Sequence, residues 1–582
     1  GLSGGEKFHF LGPLYGPFAF SQDFLNTIVF IAVIAAVFRR AVFKPKRLAD
    51  NSIKSKADAY FILFLIGALV ASNLIAHSVE IHNKGHLATY ASFLPMASWI
   101  ESFYSSGSFS EGTYLTWWWI HLAIVFGFLN FLPYSKHFHI IVALPNVFMS
   151  KIEPRGRLST PDLEDESIES FGAEKVEDLK WKSILDSYTC TECGRCNEFC
   201  PTANTDKALR PKTLMINLRA ATTGRASLLS QLKNKDFDPE KLNEEEKKLS
   251  VQCLVPDTFT DQFIWDCTTC GACVEACPVM IDHVDSIVEM RRALVLNRGS
   301  NPDEATNAFR NWESASNPWG LPESSRQEWL LQKEVPLYDS SGDFEYLYYI
   351  GCAGSFDERN KKVVDSVVKI LQTAQVKFGI LGKEEKCNGE TARRMGNEWL
   401  AQQMMKTNIE LLNGKGVKKV ITSCPHCFNT LANEYPVLGG NYDVIHHTQL
   451  IEQLIREGKL KLSKNHEKLT YHDSCYIGRY NQVYDEPRQA LAAASKDHPL
   501  ELNRNRKQGF CCGAGGGRMW LEEKTGSRIN QNRAEEIIRS GAKTVGVACP
   551  FCMTMISDGL RSNEREDIAV RDVAEIVAES IY

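Results

Sequence analysis

Three shortages frame this sequence. Charge of one sign is the first: 66 Lys and Arg against 71 Asp and Glu leave a net charge of only −5 and a pI near 6.3. No basic field of the kind that binds nucleic acid is present. Nucleotide-binding loops are the second. No dinucleotide fingerprint with its downstream acid occurs, and no flavin motif. The one glycine run, Gly513-Ala-Gly-Gly-Gly517, lacks the Lys-Ser/Thr of a phosphate loop. No hydride-accepting motif is therefore present in the sequence. The third shortage is of unassigned cysteine: of 18, all but Cys253 fall into tight runs. Such usage belongs to a reducing compartment, where thiolates stay free for metal.

The runs themselves come next. Cys190, Cys193, Cys196 and Cys200-Pro201 have the spacing C-x2-C-x2-C-x3-C-P, repeated as Cys267, Cys270, Cys273 and Cys277-Pro278. Gly194 and Gly271 sit where the backbone must turn to let three thiolates wrap one face of a cube. This spacing resembles the [4Fe–4S] loop of bacterial ferredoxins. The resemblance implies crossed ligation, with Cys190, Cys193 and Cys196 joined by Cys277, and Cys267, Cys270 and Cys273 joined by Cys200. Zinc or disulfides are the alternatives, and a triple run closed by Cys-Pro, occurring twice, fits them poorly.

Apolar residues concentrate in the first 150 positions. Phe24–Phe38, Ala59–Ala76 and Tyr114–Leu132 are runs of 15, 18 and 19 residues. The last two approach the ~20 residues a spanning helix needs. The first is short enough to be a buried core helix instead. Between the first two runs lie Arg39, Arg40, Lys44, Lys46, Arg47, Lys54 and Lys56; between the second and third lies only Lys84. The positive-inside rule then puts the amino terminus outside and everything after the third helix in the cytoplasm. A multi-pass protein of the inner membrane with cytoplasmic clusters is expected.

Trp117, Trp118 and Trp119 read as an interfacial belt. His121 and His139, 18 residues apart, would share a face roughly 27 Å apart on one continuous helix, unless Pro133 bends it. His77 lies at a depth near that of His121. Imidazoles in membrane helices are functional suspects, and His77, His121 and His139 are candidate haem b ligands; interfacial histidines are the bland alternative. The sequence opens Gly-Leu-Ser-Gly-Gly, without an initiating Met or a signal peptide. A processed or partly observed chain, with helices missing upstream, is the expectation.

Lys151–Glu177, rich in Pro, Gly, Ser and acids, reads as a solvated strap. The 66 residues between the two cysteine runs (201–266) hold an expected helix at Pro211–Thr222 and a charged stretch at Lys233–Lys248. Ile281–Arg298 is expected as a helix behind the second run, and Asn301–Glu345 as a linker.

Two modules follow at an offset of 123 to 125 residues. In the first, strand Tyr346–Ile350 precedes Cys352, Cys387-Asn388-Gly389 follows, and strand Lys418–Thr422 precedes Cys424-Pro-His-Cys427. In the second, Leu469–His472 precedes Cys475, Cys511-Cys512-Gly513 follows, and Thr544–Ala548 precedes Cys549-Pro-Phe-Cys552. Cysteines at strand ends gather at the carboxyl edge of a small parallel sheet. The fold class is thus multidomain. It comprises an all-α transmembrane segment (1–150), an α-helical ferredoxin dicluster domain with its linker (151–345) and two repeated α/β modules (346–465 and 466–582).

The C…CCG…CxxC pattern resembles the cysteine-rich CCG domain of heterodisulfide reductases and related iron–sulfur oxidoreductases. That resemblance implies a non-cubane [4Fe–4S] cluster on Cys475, Cys511, Cys512, Cys549 and Cys552. The first module, with Asn388 in place of one cysteine, keeps Cys352, Cys387, Cys424 and Cys427, for an ordinary cubane or a structural role. The front resembles the cytochrome-b-type subunit of respiratory nitrate reductase, whose last helix bears two haem-ligating histidines. Their partners' helix is not found here. Fused chains of this kind most resemble bacterial membrane oxidoreductases that link electron-transfer flavoprotein to menaquinone. Three functions remain open: flavoprotein:quinone oxidoreductase, heterodisulfide-type disulfide reductase, and electron-relay subunit of a larger membrane complex.

Overall fold

The computed structural model describes residues 9–49, 53–84, 91–105, 107, 109–168, 170–232, 242–326, 328–331 and 335–582. The charged stretch at Lys233–Lys248 lies outside them as far as residue 241. Two compact units result: Gly1–Val142 with Thr191–Gly194, and Ala143–Cys190 with Arg195–Tyr582.

In the first unit, three helices are long and apolar enough to cross a membrane, at Gly12–Phe43, Ser55–Asn83 and Gly112–Tyr134. Their α-helical parts are α1 (Tyr15–Phe38), α2 (Ile53–Lys84) and α3 (Glu111–Phe131). The shortest apolar run lies within a 24-residue helix with most of its large apolar side chains exposed. A buried core helix is thereby excluded: the flanking Tyr15–Asp23 segment, less apolar in sequence, continues the helix. Helix α2 packs against both α1 and α3. Asn26 of α1 donates to Asn73 of α2 at 2.8 Å, a polar clasp between apolar helices. The single helix linking His121 to His139 does not exist. Helix α3 stops at Phe131, Pro133 sits in a 3-10 turn (Leu132–Tyr134), and α4 begins anew at His139 and runs to Phe148.

The second unit opens with the strap at Lys151–Glu177, which is less solvated than its composition suggests. Leu158, Ala173 and Val176 are buried, and Thr160 Oγ1 and the Ser159 carbonyl accept from buried Arg393. Helix α5 (Trp181–Thr189) leads into the first cysteine run. The insertion forms α6 (Pro211–Gly224), with Pro at its first turn, and α7 (His283–Arg292) lies behind the second run, prolonged by a π-turn to Asn297. The expected linker after residue 300 holds a further helix, α8 (Asp303–Ala315), that turns Ala305, Ala308, Phe309 and Trp312 inward. Its Asn- and Ser-rich outer face hid that apolar stripe.

Each module is a parallel sheet. The first has β1 (Tyr346–Tyr349), β2 (Phe378–Gly379), β3 (Lys419–Thr422) and β4 (Asp443–His446) in the order β2-β1-β3-β4. The second has β5 (Leu469–Tyr471), β6 (Thr544–Val547) and β7 (Ala569–Asp572) in sequence order. One hydrophobic core runs without a break from the dicluster region (Leu214, Trp265, Met290) into the first module (Leu347, Met405, Val420).

Candidate metal centres

The strand–helix junctions position the module cysteines. Cys352 opens the helix after β1; Cys424 caps α9 (Pro425–Asn429) after β3. Cys475 follows β5, and Cys549 caps α10 (Pro550–Arg561) after β6. Helix amino termini thus face the thiols, where partial positive charge favours thiolate. The middle cysteines arrive on loops.

In the second module all five thiols converge. Cys512 and Cys552 lie 3.3 Å apart, sulfur to sulfur. Cys511 interacts with Cys475 and Cys512, and it is buried in one cluster with Cys475 and with Cys270 of the second ferredoxin run. In the first module, Cys352 pairs with Cys387 and Cys427 with Cys424, and the four surround one another. Asn388 is buried there, and its Oδ1 accepts from the backbone N–H of Glu390 at 2.9 Å. It serves the backbone instead of a metal.

One cysteine of the first ferredoxin run lies among those of the second. Cys200 of the first run sits beside Cys270 and Cys267; burial and those neighbours push its thiol up to about 12. Burial, then Cys200, Cys267, Cys270 and Cys196, push Cys273 well above the ordinary thiol range. Thiols this crowded cannot ionise together unless a cation neutralises them, which is the environment an iron–sulfur cube fits. Donors aimed at sulfur fit it as well: Thr269 N–H to Cys267 at 3.3 Å, Gly513 N–H to Cys511 at 3.3 Å and Ile281 N–H to Cys277 at 3.4 Å. Gly271 adopts φ +70°, as the tight loop requires.

The glycine run 513–517 finds its reason here. A Cβ on Gly515 would lie 2.4 Å from the Thr268 carbonyl oxygen, and one on Gly516 2.5 Å from that of Cys267. These glycines let the second module close backbone to backbone against the second ferredoxin loop, a more specific task than wrapping their own cluster.

Several residues escaped sequence reasoning. Buried Arg291 of α7 donates through Nη1 to the carbonyls of Arg394 and Gly516, one from each module. Its Nη2 donates to those of Ile264 and Cys267. His426, between the two cysteines of the first module's CxxC, interacts with Cys549 of the second. Its ring stacks on Tyr476 at 4.0 Å, and its Nδ1 lies 3.1 Å from Glu390. Burial opposes its charge, but Glu390 and Cys549 outweigh burial and hold its pKa well above the usual value. Only the repeat could have revealed it, since Phe551 is its counterpart.

His472, Cys512 and Cys552 offer atoms within 4.8 Å of one another. Arg533 Nε donates to His472 Nδ1 at 3.0 Å, which leaves Nε2 protonated and turns the ring into a donor toward Cys512. In that tautomer His472 offers Cys512 a donor and not a lone pair. Arg479, also buried, donates to the carbonyls of Cys270 (2.8 Å) and Gly509 (2.7 Å), bridging the same two loops.

In the first unit, His121 Nδ1 lies 3.0 Å from Ser72 Oγ and 3.1 Å from the Leu69 carbonyl; donation to that carbonyl leaves Nε2 with a free lone pair. His139 Nδ1 lies 2.8 Å from the Lys136 carbonyl, with the same consequence. His77 Nδ1 lies 3.8 Å from Glu80. His121 and His139 do not share a helix.

Comparison with known proteins bears on this arrangement. Residues 346–432 and 469–557 each match the cysteine-rich domain (CCG) family, and 189–281 match the 4Fe-4S dicluster domain. An EtfAB:quinone oxidoreductase of Syntrophomonas wolfei is 40% identical over 98% of this chain and 83% of its own length. The chain belongs to the CCG family of iron–sulfur oxidoreductases. A probable iron-sulfur-binding oxidoreductase, FadF, of Bacillus subtilis is 38% identical over 100% of the chain and 85% of its own length. One polypeptide of the dihydromethanophenazine:CoB–CoM heterodisulfide reductase from Methanosarcina barkeri is 29% identical over 68% of the chain and 95% of its own length. This CCG-family oxidoreductase therefore carries a 4Fe-4S dicluster domain and two cysteine-rich modules, preceded in the chain by three helices suited to a membrane.

Proposed function

We propose that this chain passes electrons from a cytoplasmic donor, electron-transfer flavoprotein in the first place, to the menaquinone pool of the inner membrane. The observation that carries the reading is the shared burial of Cys511 and Cys270. Both lie in one buried cluster with Cys475, which brings the five-thiol set of the second module against a ferredoxin set. On this reading Cys475, Cys511, Cys512, Cys549 and Cys552 hold a non-cubane cluster. Cys267, Cys270, Cys273 and Cys200 hold one cube, Cys190, Cys193, Cys196 and Cys277 another, and Cys352, Cys387, Cys424 and Cys427 a fourth cluster. Bound clusters supply one-electron carriers, matched to a sequence without a hydride-accepting motif. The protein's own groups do the rest. His426 and His472 donate to ligand thiols of the second module, and Arg479 places a permanent cation between its loop and Cys270.

Haem b fits the first unit through His121, whose Nδ1 hydrogen bond leaves Nε2 for iron, with His77 and His139 as further candidate ligands. The cluster domains lie in the cytoplasm by the charge asymmetry of the loops. Heterodisulfide cleavage is disfavoured because Asn388, bonded to its own backbone, leaves the molecule a single five-thiol module.

The test is direct. Full-length protein in lipid vesicles, given reduced flavoprotein and a menaquinone analogue, should form quinol at a rate set by this protein's concentration. Failure to reduce any quinone while a disulfide substrate is cleaved would replace this reading by the reductase one.

A further inference from the structure

A cavity of about 660 Å³ opens beside the first ferredoxin run. Its wall includes Cys277, assigned above to the cluster of Cys190, Cys193 and Cys196, and Ser183 of α5. The volume is that of a small-molecule site. Its mouth is costly to leave bare: Ile152 is 100% exposed, Trp181 61%, Met149 50% and Met280 44%. Four large apolar side chains around one opening require a cover.

The chain leading to this mouth says what covers it. Helix α4 is amphipathic. Val142 and Asn146 are buried on one side, while Ile140, Ile141, Leu144 and Phe148 are exposed on the other, at the spacing of a helix that lies in a membrane surface. It begins five residues after the third candidate span ends at Tyr134 and stops immediately before Met149. Asn146 pins its last turn to the cavity wall, donating to Asp186 and to the Val279 carbonyl, both at 3.0 Å. Val279 is two residues from Cys277. An apolar rim thus leads from α4 to a wall that also carries the ion-paired Lys151, Asp282 and Asp285 beside a cluster ligand.

We propose that this cavity is the site of a lipid-soluble quinone. The head group sits beside Cys277 and the isoprenoid tail leaves over Met149 and Ile152 toward α4. The inference rests on the quinone-linked reading above and adds to it where the quinone binds. Reduction to quinol takes two electrons, delivered singly from reduced flavoprotein through the ferredoxin side, and two protons from water at the open mouth.

A photoreactive azido-menaquinone, used on the full-length holoprotein in lipid nanodiscs, tests it. Covalent label should map to the segments around Met149–Ile152, Trp181 or Met280 and be displaced by unlabelled menaquinone. A double variant, Ile152→Asp with Trp181→Asp, should weaken analogue binding by at least about tenfold, since each substitution removes most of an apolar contact. Iron content and the cluster EPR signals should stay as in the parent.

Label confined to the apolar groove of Phe61, Leu65, Ile124 and Phe128 in the first unit would overturn the proposal and leave quinone reduction itself intact. So would unchanged binding in the double variant. Protection of the cavity mouth by flavoprotein, without quinone label, would assign the patch to the protein donor. A parent protein that neither binds nor reduces quinone would instead sink the underlying reading.

Discussion

Cys270 and Cys511 are buried in one cluster, although one belongs to a ferredoxin run and the other to the second module. The neighbouring Cys511 and the Arg479 guanidinium outweigh burial and hold the Cys270 thiol below its ordinary range. The two sites share an electrostatic environment as well as a contact surface, so disturbing either loop disturbs both.

Gly516 is the most sensitive point of that surface. It adopts φ +64°, and a Cβ there would press on the Cys267 carbonyl oxygen. Gly516→Ala should cost ~1–3 kcal/mol from the left-handed backbone and the clash together. Stopped-flow reduction by flavoprotein should show the ferredoxin signals filling more slowly than in the parent. Gly224→Ala, where a Cβ meets nothing within 4 Å, should change neither stability nor rate.

Arg291 holds the three parts together through their carbonyls, with its guanidinium over the Trp265 ring. Arg291→Met leaves buried acceptors on Ile264, Cys267, Arg394 and Gly516 without a donor, at ~1–3 kcal/mol for each that finds no substitute. Denaturant unfolding should show a loss above ~4 kcal/mol, or no folded protein at all. Arg291→Lys should be intermediate, since an ammonium can serve only some of those carbonyls. Arg561→Met, at an exposed surface pair with Asp558, should stay within ~0.5 kcal/mol.

The cysteine spacing made the metal-binding runs legible because iron fixes ligand geometry in a few residues. The repeat made both sheets legible, with β1, β3, β5 and β6 each within a residue of expectation. What could not be read is whatever depends on tertiary approach. Arg291 looks like any basic residue on a helix until the Arg394 and Gly516 carbonyls arrive from elsewhere. His426 gains its meaning only when Cys549 of the other module comes to meet it. Helix α8 was hidden by its polar outer face, and the break at Pro133 overrode the apolar periodicity that suggested one long helix.

Loop charge predicts the orientation. Ser105→Cys should react with an impermeant thiol reagent added outside intact cells, and Ala49→Cys, in the loop between the first two spans, should not. The reverse pattern would place the clusters outside and contradict the assignment.

Cofactor content separates the sites. Anaerobically purified protein should carry about 16 iron atoms per chain beyond haem, because the first module's four thiols converge as well as the rest. His121→Ala should remove the dithionite-reduced b-type absorbance band and leave the cluster signals unchanged. Iron near eight atoms would confine clusters to the ferredoxin pair.

The central claim is that electrons enter at the second module and cross from Cys511 to Cys270. Cys512 is the residue that distinguishes this module from the first, where Asn388 stands in its place. Cys512→Asn tests the claim in one measurement: single-turnover reduction of the ferredoxin clusters, followed by freeze-quench EPR, with reduced flavoprotein as donor. The account predicts that flavoprotein no longer fills the ferredoxin clusters, while a small artificial reductant fills them as in the parent. Undiminished filling by flavoprotein would contradict it and move the point of electron arrival to the dicluster domain.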